Sequence, residues 1–237
     1  MTEVRAKRPV VLCLTLLVLA TVFAALAVWQ VERLHWKEAL IARVEAGTKA
    51  APLPVAQLPT GALDQLEYRR VGLRGHYLPQ GSVLVTGVSM QGSGYWVMTP
   101  MRVDGAGPGP ATYVNRGFVP MGTRIETVRA RTPQGPVSVI GLLRLTQPGG
   151  GFLRANRPQE NRWYSRDVVQ IAARQGVAVD ARYFVDASQE TPSAAGGPVL
   201  GLTVINFPNN HLSYALTWAA MALLSIGTAV VLWRKLR

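Results

Sequence analysis

A single cysteine occurs in 237 residues, Cys13, and it lies inside a long apolar run. Disulfide frameworks are therefore excluded, as are Cys-x-x-Cys redox chemistry and thiolate metal sites. Copper held by methionine and histidine is the remaining soft-ligand option, but Met90, Met98, Met101 and Met121 show no repeated spacing. They read as core filler.

Lysine is nearly as scarce, with only Lys7, Lys37, Lys49 and Lys235 present. Ser89-Met90 resembles the nucleophile pair of membrane-anchored signal peptidases, which need a downstream lysine of lowered pKa to take the serine proton. No lysine stands between Ser89 and Lys235, so the dyad fails. For a serine triad only His35 and His76 are on offer in the middle of the chain, and neither sits in a nucleophile elbow. His76, within Arg-Gly-His-Tyr, reads as a strand or turn residue. The 13 acidic residues are dispersed, and no pair suited to glycosidic chemistry stands out. A membrane-anchored hydrolase thus lacks a nucleophile. No enzyme is expected.

Basic residues are plentiful, and the net charge of +12 looks at first like a nucleic-acid signal. Setting aside three basic residues at each end and Glu3 leaves 19 basic against 12 acidic, a net of +7 carried by scattered arginine. Such a pattern reads as a solvated face or contact with anionic lipid, not as a nucleic-acid partner.

What the chain has in abundance is apolar sequence, 49% of all residues. Leu212 to Trp233 carries no charge, and its 22 residues span about 33 Å as a helix, enough to cross a bilayer. Val10 to Val28 is a second such run, broken only by Thr15 and Thr21. Ala25-Leu26-Ala27 resembles a signal-peptidase site, but the run exceeds the usual signal core of about 7 to 15 residues, so we read it as an anchor. Arg234, Lys235 and Arg237 crowd behind the second run and mark its end as cytoplasmic. Both termini are then expected in the cytoplasm.

The expected architecture is an α+β membrane protein in which two transmembrane helices flank a mainly antiparallel β external domain with a short helix. The expected segments are a tail over 1–9, a first span over 10–29 and a helical extension over 30–50. A Pro-rich, semi-rigid link over 51–67 follows, then the external domain over 68–208, a second span over 209–233 and a tail over 234–237. Gly47 should end the extension. Strands are expected over Tyr68 to Tyr77, Ser82 to Met90, Tyr95 to Val103, Ala111 to Phe118, Pro136 to Leu145, Arg182 to Val185 and Val199 to Ile205. Gly105 to Pro110 lies between two of them and reads as a hairpin turn, not a phosphate cradle. Arg166 to Gln175 should form the soluble helix, with Ser165 as its cap and Gly176 as its stop.

Two residue groups invite a functional reading. Trp29, Arg33 and Trp36 recur at helical spacing near the outer interface, as an interfacial belt or as part of a ligand site. His211 stands at the entrance of the second span, followed by Tyr214 and Trp218 on the same helix. Its imidazole can ligate heme iron, with Trp29 and Trp218 as flat apolar walls and Arg33 toward carboxylates, or it can simply bond Asn209 or Asn210 at a helix start. In Asn115-Arg116-Gly117 the glycine permits a bulge or a positive φ, and Arg116 either ties loop carbonyls or contacts a partner.

Several stretches together resemble the Surfeit-locus-protein-one family of cytochrome c oxidase assembly factors. They are Trp29-Gln30 with Arg33 and Trp36-Lys37, Tyr68 with Gly75-His76-Tyr77, and Gly94 to Pro100. Val114 to Pro120, Trp163 to Asp167, and Asn209-Asn210-His211-Leu212 with Tyr214 to Trp218 follow in the family's order, with Phe118 where many relatives have tryptophan. The resemblance implies two membrane helices around an external domain and a role in maturing the catalytic, heme-containing oxidase subunit, with heme a synthase as a possible second partner. It also implies heme a as ligand, with His211 at its iron. Tyr68 and the Asn-Arg-Gly segment are expected to be contact or folding residues. The short amino-terminal stretch lacks an Arg-rich and Ser-rich transit pattern, which points to a bacterial inner-membrane member with a periplasmic domain. The alternative is a cofactor-free scaffold for an oxidase assembly intermediate.

Overall fold

The computed structural model describes residues 10–105, 109–151 and 154–235. The expected amino-terminal tail and the middle of the Gly105 to Pro110 turn lie outside them. The described chain divides into two units, one built from the terminal segments up to Arg43 and from Asn206, the other from Val44–Ile205.

In the first unit two helices pair. α1 runs over Val10–Lys49 and α4 over His211–Lys235. α1 does not stop at Gly47, because a lone glycine only weakens a helix; it stops two residues later, ahead of Pro52. Contacts ascend one helix as they descend the other: Cys13 Sγ lies 3.8 Å from the Ala229 carbonyl, Phe23 stacks on Trp218 at 5.6 Å, and Gln30 meets His211. The helices are therefore antiparallel. Ala215, Ala222 and Ala229, seven residues apart, are buried in the seam with Ser225, and Cys13 and Ala20 are buried on α1. Small side chains let two backbones approach closely, which is how helices associate where lipid removes the hydrophobic drive. The bulky side chains point outward, among them Val11, Leu14, Val18, Leu223 and Leu224. A helix buried in a water-soluble core would do the reverse, so both remain candidate membrane spans.

The second unit is a barrel. Its strands are β1 (Leu53–Pro54), β2 (Arg70–Tyr77), β3 (Val83–Ser89), β4 (Gly92–Val103), β5 (Ala111–Pro120), β6 (Val137–Leu145) and β7 (Val179–Thr191). The sheet order is β1-β2-β6-β7-β5-β4-β3, and β2 also pairs with β4 through Gly75↔Val103, His76↔Arg102 and Tyr77↔Met101. That pairing closes β2, β6, β7, β5 and β4 into a five-stranded barrel in which only β5 and β7 run parallel. This is the Greek-key arrangement of an OB-type barrel. Closure is tight at Gly75, where a Cβ would collide with the Arg102 carbonyl. Inside lie Val71, Leu73, Met101, Val114, Val139 and Leu143. A second core gathers Trp163, Ile171 and Phe184 beneath α3 (Val168–Gln175).

Several expectations need correction. Asp167, not Ser165, caps α3 by accepting from the Gln170 amide, while Gly176 ends it at φ +65° as expected. Ser165 instead accepts from the Gly150 amide. Tyr68 does not open a strand; it sits at φ +65°, two residues before β2. The Pro-rich stretch is no free link: Val55 and Leu63 are buried in the barrel core, and Arg182 Nη1 donates to the carbonyls of Pro59, Thr60 and Gly61. Val199 to Ile205 forms no strand: after the single bridge Val199↔Phe118, Gly201 at φ +72° turns the chain out of extended backbone. A short helix, α2 (Ile125–Ala130), was not anticipated. Met98 and Met101 fill the core, but Met90 and Met121 are exposed.

Candidate functional site

Charge is buried in the barrel, and it is paired. Two residues of β5, Arg116 and Gly117, oppose the single residue Val97 of β4, and Gly117 takes φ +112°. This bulge turns Arg116 inward, where it is only 1% exposed. Its guanidinium meets Glu190 in a fork of 2.9 and 2.8 Å, donates to Thr132 Oγ1, and lies 4.7 Å from the Tyr77 ring. The Tyr77 hydroxyl donates to the same carboxylate at 2.7 Å. Burial, and then the charge of Glu190, push the Tyr77 phenol well up. For Arg116 burial pulls downward, but bonding to Glu190 outweighs it and leaves the guanidinium above its ordinary value. Arg116 therefore ties a distant carboxylate, not loop carbonyls.

Asn115 follows the same logic, giving its amide to Asp186 at 2.8 Å and accepting from the Gly117 amide at 3.2 Å. Asp186 also accepts from Arg144, Arg166 and Thr203. Tyr68 lies beneath the Arg144 guanidinium at 4.4 Å. All four residues singled out as contact or folding residues thus serve the fold.

The hydrolase reading gains nothing from the geometry. Ser89 Oγ accepts from the Gln91 amide in the β3–β4 turn, and no base bonds it among the described residues. His76 faces Asp104 at 3.5 Å, and His35 is exposed on α1. No group of three or more His, Cys, Asp or Glu is placed to hold a bare metal ion among the described residues.

Between the helices the picture differs. His211 opens α4 and presents Nδ1 to Gln30 Oε1 at 2.7 Å. An amide oxygen only accepts, so Nδ1 carries the proton and a neutral ring keeps its lone pair on Nε2. Nε2 has no hydrogen-bond partner among the described residues. Neither Asn209 nor Asn210 bonds the ring; instead Asn209 Oδ1 is buried without a partner. Trp218 shares the seam with His211 but already stacks on Phe23 at an interplanar angle of 20°. Trp29 stands beside Gln30 with its indole 48% exposed, and Tyr214 is 55% exposed. Arg33 lies between Trp29 and Trp36, at 6.0 and 4.9 Å from their rings. The residue that meets the histidine is therefore Gln30, which sequence reasoning quoted only as a neighbour of Trp29; its burial in an otherwise apolar seam is the signal that singles it out.

A model of the SURF1 family matches residues 17–223, from within α1 through the barrel to the middle of α4. The chain belongs to the SURF1 family. Mouse Surfeit locus protein 1 is 36% identical over 219 residues, covering 86% of this chain and 69% of the mouse protein. Its human counterpart is 33% identical over 93% of this chain and 75% of its own length. A SURF1-like protein of Monosiga brevicollis, also 33% identical, is covered over 87% of its length. The stretch matched by the family model takes in His211.

Proposed function

We propose that this SURF1-family chain is a non-enzymatic assembly factor for cytochrome c oxidase that holds heme a at His211 and presents it to the catalytic subunit. The observation that carries this reading is the Gln30–His211 bond: it fixes the ring and its tautomer, and leaves Nε2 as a ligand atom. The residues suit the group. An imidazole with an oriented outer bond is the usual protein ligand to heme iron, and Asn209 Oδ1 is a buried acceptor in want of a donor two residues away. Heme a, if bound, would supply an iron, and His211 would hold it through a neutral imidazole. Gln30 holds the ring, the buried alanines keep water from the seam, and Arg33 offers charge for carboxylates. Trp29 and Tyr214, exposed beside this point, offer flat and hydroxylated surface, while Trp218 closes the seam below it.

The positive charges in the last turn of α4 favour an orientation with both termini cytoplasmic, and in a bacterial inner membrane, the setting of this reading, the barrel is then periplasmic. Partners in this reading are the heme-containing oxidase subunit and heme a synthase. Protein purified in detergent from cells making heme a should be coloured, and His211→Ala should be colourless while still folded. Full retention of pigment by His211→Ala rejects the ligand role.

A second reading, a cofactor-free scaffold, is favoured by the completeness of the Phe23–Trp218 stack and by the ability of a Gln–His bond to hold two membrane helices together without a ligand. It expects colourless wild-type protein that still retrieves an immature oxidase subunit.

A further inference from the structure

A cavity of about 440 Å³ opens at the mouth of the barrel, independent of the helix-pair site. Its walls include Val88, Met90, Trp96, Arg144, Arg166 and Val204. OB-type barrels take ligands on their second and third strands and in the loops joining strands one to two and four to five. Here β4 is the second barrel strand and supplies Trp96; the β3 hairpin is inserted between the first and second; and Arg166 lies between the fourth and fifth. Fold analogy gives the location only.

The chemistry is in the floor. Arg144 uses Nε on Glu67 and Nη1 on Asp186, and Arg166 uses Nε on Gln147 and Nη1 on Asp186. Neither Nη2 bonds a described residue. Asp186 already serves both arginines, Asn115 and Thr203, so it has little left to give. Burial, reinforced by the charge of Arg144, outweighs Asp186 and holds Arg166 below the ordinary arginine value. The floor therefore offers unspent guanidinium donors, with Glu67 and Asp186 already engaged by the same two arginines.

Around it the rim is apolar and open, with Met90 at 85%, Val88 at 71% and Val204 at 67% exposure. Exposed methionine and valine around a recessed Trp and Arg pair is the composition of a protein-binding hot spot. The adjoining strand is an edge. Outside β4, β3 is covered only as far as Thr86, whose amide donates to the Trp163 carbonyl; Gly87, Val88 and Ser89 have no further ladder partner among the described residues. Unpaired backbone of this kind suits an added strand and is costly in hydrocarbon, which favours a peptide over insertion into the bilayer.

We propose that this mouth receives an extended segment of a partner protein carrying one acidic side chain between apolar ones. The carboxylate takes the Nη2 groups of Arg144 and Arg166, the flanking side chains cover Met90, Val88 and Val204, and the backbone continues the β3 edge.

The test uses full-length protein in detergent and two labelled nonapeptides, alternating valine and threonine around a central glutamate or glutamine and carrying lysines at both ends. Fluorescence anisotropy should give at least tenfold tighter binding of the glutamate peptide, and Arg166→Gln should abolish the preference. Since Arg166 also supports the fold, Met90→Asp is the second variant: its exposed carboxylate should weaken the glutamate peptide more than the glutamine one and so narrow the preference. Equal binding of the two peptides, or binding of neither, overturns the proposal. So does Arg166-dependent binding of phosphatidylglycerol vesicles without peptide binding, which would assign the floor to a lipid headgroup.

Discussion

In the barrel Arg116 meets Glu190 through two hydrogen bonds, with Thr132 and Tyr77 completing the set; between the helices His211 meets Gln30 through one ring nitrogen and leaves the other unused. Arg116 is buried and directs three N–H groups and its charge at the fold, whereas His211 is part-buried and uses one ring nitrogen. Buried polar groups normally find partners, so a well-paired one reads as architecture and a group with an unused atom is the better candidate for function. By this criterion the conspicuous Asn-Arg-Gly motif is architecture, and the histidine is the candidate site.

The largest test of that contrast removes one side of the barrel pair. Arg116→Leu strands Glu190 in the core and should cost about 3–5 kcal/mol, read as a drop in the unfolding midpoint by tryptophan fluorescence. Arg116→Leu with Glu190→Leu should recover much of the loss. If the single variant unfolds no more readily than wild type, the pair is not structural. Next in size is Gly117→Ala, which forces a Cβ onto the Val199 carbonyl at φ +112° and should cost about 1–3 kcal/mol in the same assay. An unchanged midpoint there would mean that the bulge relaxes freely.

The helix pair should behave differently. Gln30→Leu leaves a well-packed apolar seam, so its stability should move little, but heme a affinity should fall by roughly 10- to 100-fold as the ring loses its orienting bond. A stability loss without an affinity loss would favour the scaffold. The smallest effect is in alkali. Burial raises the phenols of Tyr77, Tyr113 and Tyr183 above their ordinary value, so their contribution is complete below about pH 10 and is lost as pH rises through the folded values. Tyr113→Phe should blunt that alkaline loss, and an identical pH profile would contradict it.

Much of the fold was legible because its signals are local. Uncharged runs mark α1 and α4, stretches rich in Val, Tyr, Thr and Leu between turn residues mark β2 to β6, and Gly176 marks the end of α3. What escaped was set by distant neighbours. Val199 to Ile205 has the residues of a strand, but only Val199 meets the sheet, at Phe118, which lies far back in the chain. The partner of Arg116 lies 74 residues away, and nothing beside Glu190 in the chain announces it. For the candidate site, the sequence marks His211 by its place at the start of an apolar run, whereas its partner Gln30, 181 residues off, is set only by the pairing of the helices.

The central claim is that Nε2 of an oriented His211 is the ligand atom. Optical titration of pigment-free protein with heme a, comparing wild type, Gln30→Leu and His211→Ala, tests it most directly. The account expects tight binding by wild type, weaker binding by Gln30→Leu and none by His211→Ala. Equal affinities for wild type and His211→Ala would contradict it.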